Sequence, residues 1–246
     1  MKKAFITGAN KGIGFETAKE LLKAGFYVYL GSRDLGLGQA AVDRLNAVGF
    51  DQVTPISLDV TDEASIREAR QRIGDETDVL DVLINNAGIN GGTAPFTVLE
   101  ATASEYLAAF HTNVVGTAEV TKALMDLLRK APAPRVVNVS TSVGSLTLQS
   151  NPDWPAYHYA KYGVYATSKA ALNMYTIHLA YELRDTAFKV NAVCPGYTST
   201  DFTGHQGDDV GVAAKRIAKY ALIGEDGPTG KFFSEETNPI TGEIAW

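Results

Sequence analysis

The sequence has little cysteine: Cys194 is the single one, and an internal disulfide is therefore excluded. Disulfide-stabilised folds belong mainly to oxidising compartments, so this composition is typical of a reducing cytoplasm. Hydrophobic residues make up 45% of the 246 residues, which is ample for a packed core. We therefore expect a cytoplasmic protein that is stabilised by its core rather than by cross-links.

Long apolar runs and basic clusters are also missing. No apolar stretch approaches the roughly 18 residues of a membrane span, and the apolar residues after Met1-Lys2-Lys3 end at Thr7-Gly8, too soon for a signal peptide. A net charge of −6, with 28 acidic and 22 basic residues, disfavours nucleic acids and anionic membranes as partners. The four histidines show no metal-ligand spacing, so no metal is expected. They are His111, His158, His178 and His205.

Strand-like and helix-like segments alternate along the whole chain. Strands are predicted near 3–7, 27–30, 53–58, 79–84, 135–139, 189–193 and 231–233. Helices are predicted near 12–24, 39–48, 62–73, 104–129, 165–184 and 212–222. This alternation predicts a single α/β domain over 1–246, with a Rossmann-like doubly wound parallel sheet and helices on both faces. Two long stretches, 146–163 and 196–209, are predicted to be irregular, as lids and binding loops often are.

A glycine-rich turn connects the first strand to the first helix. It reads Thr7-Gly8-Ala9-Asn10-Lys11-Gly12-Ile13-Gly14. Glycines at this place let the backbone approach a pyrophosphate, and the N-terminus of the helix favours its negative charge. The spacing Gly-x-x-x-Gly-x-Gly differs from the Gly-x-Gly-x-x-Gly of many dehydrogenases. The position between strand and helix nevertheless predicts a dinucleotide site.

The residues after the second strand indicate which dinucleotide is bound. An acidic residue near the ribose selects NAD, whereas an arginine accommodates the 2′-phosphate of NADP. Ser32 and Arg33 lie where the ribose is expected, and Asp34, although 20 residues after Gly14, is expected to point beyond it. Arg33 offers a fork of donors to a phosphate, and Lys11 adds a second positive charge. These residues favour NADP(H), unless both are only solvated surface charges.

A possible acid/base pair lies on a predicted helix at Tyr165 and Lys169. Residues four apart share one helix face, and a neighbouring ammonium lowers the pKa of a phenol from its usual value of about 10. Such a pair is suited to general acid/base catalysis. A second copy, Tyr157 with Lys161, lies eight residues upstream. The spacing alone does not choose between the two copies.

Five separated motifs occur in a specific order along almost the whole chain. They are the glycine turn at 7–14, Asn85-Asn86-Ala87-Gly88, Asn113, Tyr165-x-x-x-Lys169, and Pro195-Gly196. Together they resemble the short-chain dehydrogenase/reductase family. Arg33-Asp34, the long 146–163 segment, and Gly227-Pro228-Thr229-Gly230 with Trp246 look like its NADPH-dependent carbonyl reductase branch.

The resemblance implies a role for each matching residue. Tyr165, which is followed by Ser168-Lys169-Ala170-Ala171-Leu172 as in the family motif, would exchange a proton with the substrate. Lys169 would lower the pKa of Tyr165 and hold the nicotinamide ribose, and Asn113 would hold a water that relays protons to Lys169. With the glycine turn, the implied cofactor site comprises Gly8, Asn10, Lys11, Gly12, Ile13, Gly14, Ser32, Arg33, Asp59, Val60, Asn86, Ala87, Gly88, Tyr165, Lys169, Pro195, Gly196, Thr198 and Thr200.

The catalytic hydroxyl departs from the family pattern. The family places a serine second in a Ser-Ser pair after the fifth strand, and here Thr141 occupies that place. Threonine carries the same hydroxyl donor and is favoured. A shift of one residue would present Ser142 instead, so both remain candidates.

The resemblance implies NADPH-dependent reduction of a ketone or aldehyde. Expected substrate residues are Ile89, Asn90, Trp154, Tyr197 and Phe202, which suit a bulky, mostly apolar carbonyl compound unless the aromatics only pack the loops. Alternatives are NADP-dependent alcohol oxidation and a catalytically silent NADP(H)-binding regulator. The 146–163 insertion could cover a helix face used for subunit association, so monomer and homo-oligomer both stay open.

Overall fold

The computed structural model describes residues 1–92 and 97–246, and a mostly parallel sheet forms the centre of these residues. Its strands are β1 (Lys3–Ile6), β2 (Tyr27–Ser32), β3 (Val53–Ser57), β4 (Val82–Asn85), β5 (Arg135–Val139), β6 (Lys189–Val193), β7 (Lys231–Phe233) and β8 (Glu243–Ile244). Their order is β3-β2-β1-β4-β5-β6-β7-β8, and only β8 pairs antiparallel. The order reverses between β1 and β4, and ligands of such sheets bind at the carboxyl ends of the strands beside this point.

Helices cover both faces of the sheet, which confirms the doubly wound fold. They are α1 (Gly12–Lys23), α2 (Leu35–Asn46), α3 (Glu63–Glu76), α4 (Ala103–Phe110), α5 (Thr117–Leu128), α6 (Leu146–Gln149), α7 (Gly163–Glu182) and α8 (Val210–Ala221). Side chains of a strand alternate between faces. Accordingly, Ile6 packs with Leu21 of α1 and Ile217 of α8, whereas Phe5 packs with Ile73 and Leu124 on the other side.

The helix predicted over 104–129 is interrupted by a π-helical segment, His111–Gly116, between α4 and α5. Such segments are rare and often mark functional sites. Asn113 lies within this one and is fully buried. Gly116 permits the close approach of β3 and its loop, because a Cβ there would lie 2.6 Å from the carbonyl oxygen of Val60.

Helix α2 begins at Leu35, four residues earlier than predicted. The carboxylate of Asp34 accepts a hydrogen bond from the Leu37 amide at 2.9 Å and caps the helix. A capped start of this kind stabilises the first turn. The carboxylate of Asp34 therefore caps the helix, and its expected position beyond the ribose stays a prediction.

The two stretches predicted to be irregular contain short helical turns. A 3-10 turn, Ser142–Gly144, precedes α6, and residues 150–162 then run in turns to the start of α7. The second stretch holds another 3-10 turn, Asp201–Thr203. Within 1–92 and 97–246, no helix combines the length and the apolar character needed to cross a membrane.

Candidate active site

The glycine turn after β1 has the geometry of an anion-binding loop. Gly8 and Gly12 adopt positive φ angles of 62° and 57°. At Gly14, a Cβ would lie 2.6 Å from both the Asn86 side-chain nitrogen and the Gly8 carbonyl oxygen, so only glycine fits. Lys11 precedes α1 without a side-chain cap, and the amides of the first helical turn remain available to an anion. The turn therefore fits the pyrophosphate of a dinucleotide.

Thr7 and Asn86 clamp the glycine turn to the end of β4. The Asn86 amide nitrogen donates to the carbonyl oxygens of Thr7 and Gly8, both at 2.9 Å. The Thr7 hydroxyl oxygen accepts from the backbone amides of Asn86 and Ala87 at 3.0 and 2.9 Å. The Asn86 side chain thus positions the turn rather than offering a free polar group. The sequence motif contained Thr7 but did not indicate this role.

The predicted phosphate-binding residues differ in their surroundings. Arg33 is exposed, and no other residue of the described ranges forms an ion pair with it. The Ser32 hydroxyl is buried and donates to the Asp34 carbonyl oxygen at 2.7 Å. Lys11 pairs with Asp201, with 2.6 Å between Nζ and Oδ2. Arg33 is therefore more available than Lys11 to bind a phosphate. Lys11 instead connects the glycine turn to the 196–209 segment through its ion pair with Asp201.

Arg44 is a residue of this region that sequence reasoning missed. Its guanidinium donates to the Asn10 carbonyl oxygen at 3.0 Å and stacks over the Phe15 ring at 4.2 Å. Arg44 lies on α2, 34 positions from Asn10 in the chain. No local motif could have indicated that it supports the glycine turn.

The Asp59 carboxylate stands beyond the end of β3. One of its oxygens accepts from the hydroxyl and the amide of Thr61 at 2.7 and 2.9 Å. The hydroxyl bond from Thr61 is the main reason that the pKa of Asp59 lies below its usual value. Asp59 is therefore an ionised acceptor beside Val60, and both belong to the cofactor site that the resemblance implies.

The acid/base candidates lie one turn apart on α7. Lys169 is 4% exposed, and its Nζ lies 5.7 Å from the centre of the Tyr165 ring. The same nitrogen donates to the Val139 carbonyl oxygen at the end of β5, at 2.8 Å. A Cβ on Gly88 would lie 3.5 Å from Nζ and 3.2 Å from the Asn113 side-chain oxygen. The fold therefore brings Lys169 and Asn113 together with Gly88, which follows the carboxyl end of β4.

Burial decides the pKa values of this pair. Exclusion of water raises the pKa of the Tyr165 phenol above its usual value and lowers the pKa of the Lys169 ammonium to about 8. The net pKa of Tyr165 therefore lies above its usual value with burial as the main cause, and the expectation that Lys169 lowers it stays a prediction. Tyr165 is protonated at neutral pH, as a proton donor to a carbonyl oxygen must be.

The Asn113 side chain forms three hydrogen bonds with protein groups. Its oxygen accepts from the Ile89 amide at 2.8 Å, and its nitrogen donates to the Ile89 carbonyl oxygen and the Ser168 hydroxyl at 2.8 and 2.9 Å. The resemblance implied a water-holding role for this residue. The side chain fixes the backbone that follows Gly88 against α7, and the implied water-holding role stays a prediction.

The turn after β5 presents two hydroxyls. The Thr141 oxygen accepts a 3.3 Å hydrogen bond from the Val143 amide, and Ser142 is buried beside it. A Cβ on Gly144 would lie 3.0 Å from the Lys169 backbone and Cβ, so this turn packs directly on α7. Ser140 is bound into the core by a 2.6 Å hydrogen bond to Asn173. Thr141 and Ser142 therefore both remain candidates.

The upstream copy of the motif has a different geometry. The Lys161 ammonium lies over the face of the Tyr157 ring, 3.8 Å from its centre, as in a cation–π contact. It also donates to the backbone and side-chain oxygens of Gln149, both at 2.9 Å. The Lys161 ammonium therefore stabilises the loop through its contacts with Tyr157 and Gln149. Tyr165 and Lys169 are the better acid/base candidates.

The predicted substrate residues separate into two groups. The Phe202 ring lies 5.1 Å from the Tyr165 ring and is 47% exposed, and Tyr197 and Ile89 are also exposed. Asn90 is exposed as well and accepts a 3.3 Å bond from Gly92. Trp154 is only 8% exposed, so it packs within the fold and offers little surface to a substrate.

The turn after β6 is held in a fixed shape. The Arg216 guanidinium donates to the Pro195 carbonyl oxygen at 2.8 Å, and Gly196 adopts a φ of 92°. The buried Thr198 hydroxyl donates to the Gly196 carbonyl oxygen at 3.0 Å. Thr200 then packs over the glycine turn, since its methyl carbon would lie 3.6 Å from a Cβ on Gly12. The segment thus runs from the end of β6 to the dinucleotide site.

Comparisons with known proteins agree with this arrangement. The short chain dehydrogenase family model matches residues 2–211. (−)-Isopiperitenone reductase of Mentha piperita is 33% identical, over 95% of this chain and 96% of its own. Salutaridine reductase of Papaver bracteatum is 31% identical, over 95% and 94%.

Solved structures show the same fold. NADPH-bound carbonyl reductase from chicken fatty liver matches with a TM-score of 0.84 and 27% identity, over 100% of this chain and 99% of that chain. Salutaridine reductase from Papaver somniferum matches with a TM-score of 0.82 and 28% identity, over 95% and 100%. The chain belongs to the short-chain dehydrogenase family.

Proposed function

We propose that this protein reduces a ketone or aldehyde to an alcohol with NADPH. One observation carries the proposal: the Tyr165 and Lys169 pair on α7 lies beside the chain that follows β4. Lys169 Nζ would lie 3.5 Å from a Cβ on Gly88. This proximity supports an acid/base role for the pair beside the nicotinamide that we expect there. The match to an NADPH-bound carbonyl reductase supports the choice of reaction and cofactor.

The roles of the residues follow from their protonation and position. NADPH, when bound, supplies the hydride. Tyr165, protonated because burial raises its pKa, gives its proton to the carbonyl oxygen. Thr141 or Ser142 donates a second hydrogen bond to the same oxygen, and the Lys169 ammonium stabilises the phenolate that forms. The glycine turn would hold the pyrophosphate, and Arg33 would bind the 2′-phosphate.

The direct test is consumption of NADPH over a panel of ketones and aldehydes that range from small to bulky. Exposed apolar side chains at Phe202, Tyr197 and Ile89 favour bulky, mostly apolar compounds. We further place the activity in the cytoplasm, since Cys194 is buried and unpaired. Failure of every carbonyl compound in the panel would count against the proposed reaction.

Arg33→Ala should change the cofactor preference. Loss of a guanidinium–phosphate contact is expected to raise the KM for NADPH about 10- to 100-fold and to change the KM for NADH by less than about threefold. Steady-state kinetics with both cofactors measures this. Arg67→Ala removes another exposed arginine and serves as the control. A wild-type preference for NADH would contradict the assignment of Arg33.

The activity should fall as the pH rises through the pKa of Lys169. Burial lowers this pKa to about 8, so the ammonium that stabilises the developing phenolate is lost above that pH, while Tyr165 keeps its proton. We expect kcat/KM for reduction to be level below this point and to fall about tenfold per pH unit above it. A pH–rate profile measures the fall. Lys169→Arg stays charged, so an unchanged inflection in that variant would assign it to another group.

A further inference from the structure

The position of Tyr165 depends on the first turn of α7. Tyr165 is the third residue of this helix, in the turn whose backbone amides lack intrahelical partners. The chain reaches it through turns at 150–162. Later residues of α7 are fixed to the β5 turn, because Asn173 bonds Ser140 and the Gly144 carbonyl oxygen at 2.6 and 3.2 Å. The Ser168 hydroxyl bonds the Tyr165 carbonyl oxygen at 2.8 Å, and a further contact holds the chain before the helix.

The Gln149 side chain makes this contact. Its amide nitrogen donates to the Val143 carbonyl oxygen at 3.1 Å and to the Ala160 carbonyl oxygen at 2.7 Å. Val143 directly follows the two candidate catalytic hydroxyls, and Ala160 lies three residues before α7. One amide group therefore connects the hydroxyl turn to the chain that leads into Tyr165.

Lys161 orients the Gln149 amide. Its ammonium donates to the side-chain and backbone oxygens of Gln149, both at 2.9 Å, and packs on the Tyr157 ring. Since the amide oxygen is held by the ammonium, the amide nitrogen must face the two carbonyl oxygens. The charge-assisted bonds are stronger than neutral ones and hold this orientation.

We propose that Gln149 and Lys161 are positioning residues that set the separation between the catalytic hydroxyl and the Tyr165 phenol. The inference rests on the proposed carbonyl reduction. Neither residue contacts the glycine turn, Arg33 or Gly88 through any hydrogen bond found in the described ranges. Their loss should therefore act on kcat and leave NADPH binding intact.

Gln149→Glu isolates the bridging donors. The substitution keeps the size of the side chain and an acceptor for Lys161, but it sets a carboxylate against two carbonyl oxygens. Misplacement by about 1 Å can cost about 100-fold in rate, and we expect kcat to fall about 10- to 100-fold, with the Kd for NADPH changed by less than about twofold. Lys161→Met should lower kcat about tenfold, and Lys161→Arg should restore most of it.

Ser150→Ala is the matched control, because among the described residues its hydroxyl bonds only to the carbonyl oxygens of Leu146 and Thr147 in the adjacent short helix. Its kcat should equal that of the wild type. Wild-type kcat in both Gln149→Glu and Lys161→Met would overturn the inference, as would a loss of NADPH affinity equal to the loss of kcat. Lys161→Met decides the question if Gln149→Glu does not fold. Absence of turnover in the wild type would instead reject the proposed function itself.

Discussion

Tyr165→Phe should lower kcat for carbonyl reduction about 10²- to 10⁴-fold, the usual contribution of a general acid. The substitution deletes one oxygen and keeps the ring that packs at 5.1 Å against Phe202. The effect is expected to lie in the chemical step, because burial keeps the phenol of the wild type protonated and ready to donate. The variant keeps the half-buried ring but leaves the carbonyl oxygen of the substrate without this donor.

Single-turnover kinetics and NADPH binding together measure this prediction. The Kd for NADPH should stay within about threefold of the wild-type value, since a transition-state interaction is removed and a ground-state one is not. Tyr157→Phe is the matched control, because the ring that carries the Lys161 ammonium is kept. A large loss of kcat in Tyr157→Phe with normal turnover in Tyr165→Phe would reverse the assignment of the two motifs.

Thr141→Val should lower kcat about 10²- to 10³-fold, as expected for loss of one hydrogen bond to a developing oxyanion. The two side chains have nearly the same shape, so packing of the turn is kept. The hydroxyl of Thr141 also accepts the 3.3 Å bond from Val143, which is long and adds little to the stability of the turn. Most of the effect is therefore expected in the rate rather than in folding.

Ser142→Ala is the companion variant to Thr141→Val. It should retain kcat within about threefold if Thr141 is the donor. The measurement is kcat at saturating NADPH for both variants, with thermal unfolding as a check that each is folded. A severe loss in Ser142→Ala alone would show that the catalytic hydroxyl is shifted by one residue from the family pattern.

The fold was predictable because the patterns that indicate its strands and helices lie within short stretches of the sequence. Alternating apolar segments marked β1 to β7 and the parallel sheet, whereas β8 has two residues and leaves no periodic pattern. The π-helical segment at His111–Gly116 was predicted as ordinary helix. Its form accompanies tertiary contacts of Asn113 with Ile89 and of Gly116 with Val60, which a helical pattern does not contain.

The geometry of the candidate site was predictable where its residues are neighbours in sequence. The glycine turn and the Tyr165 and Lys169 pair are of this kind. Contacts between distant residues were missed, such as Lys11 with Asp201, which are 190 positions apart. The burial that raises the pKa of Tyr165 was missed for a related reason: a motif gives the charge beside a phenol, but it does not give its burial.

The most direct test of this account is a crystal structure of the protein with bound NADP⁺. We expect the nicotinamide ring to lie beside the Tyr165 hydroxyl, with the Lys169 ammonium at the adjacent ribose and the 2′-phosphate at Arg33. A nicotinamide ring bound away from α7, or a 2′-phosphate bound away from Arg33, would contradict it.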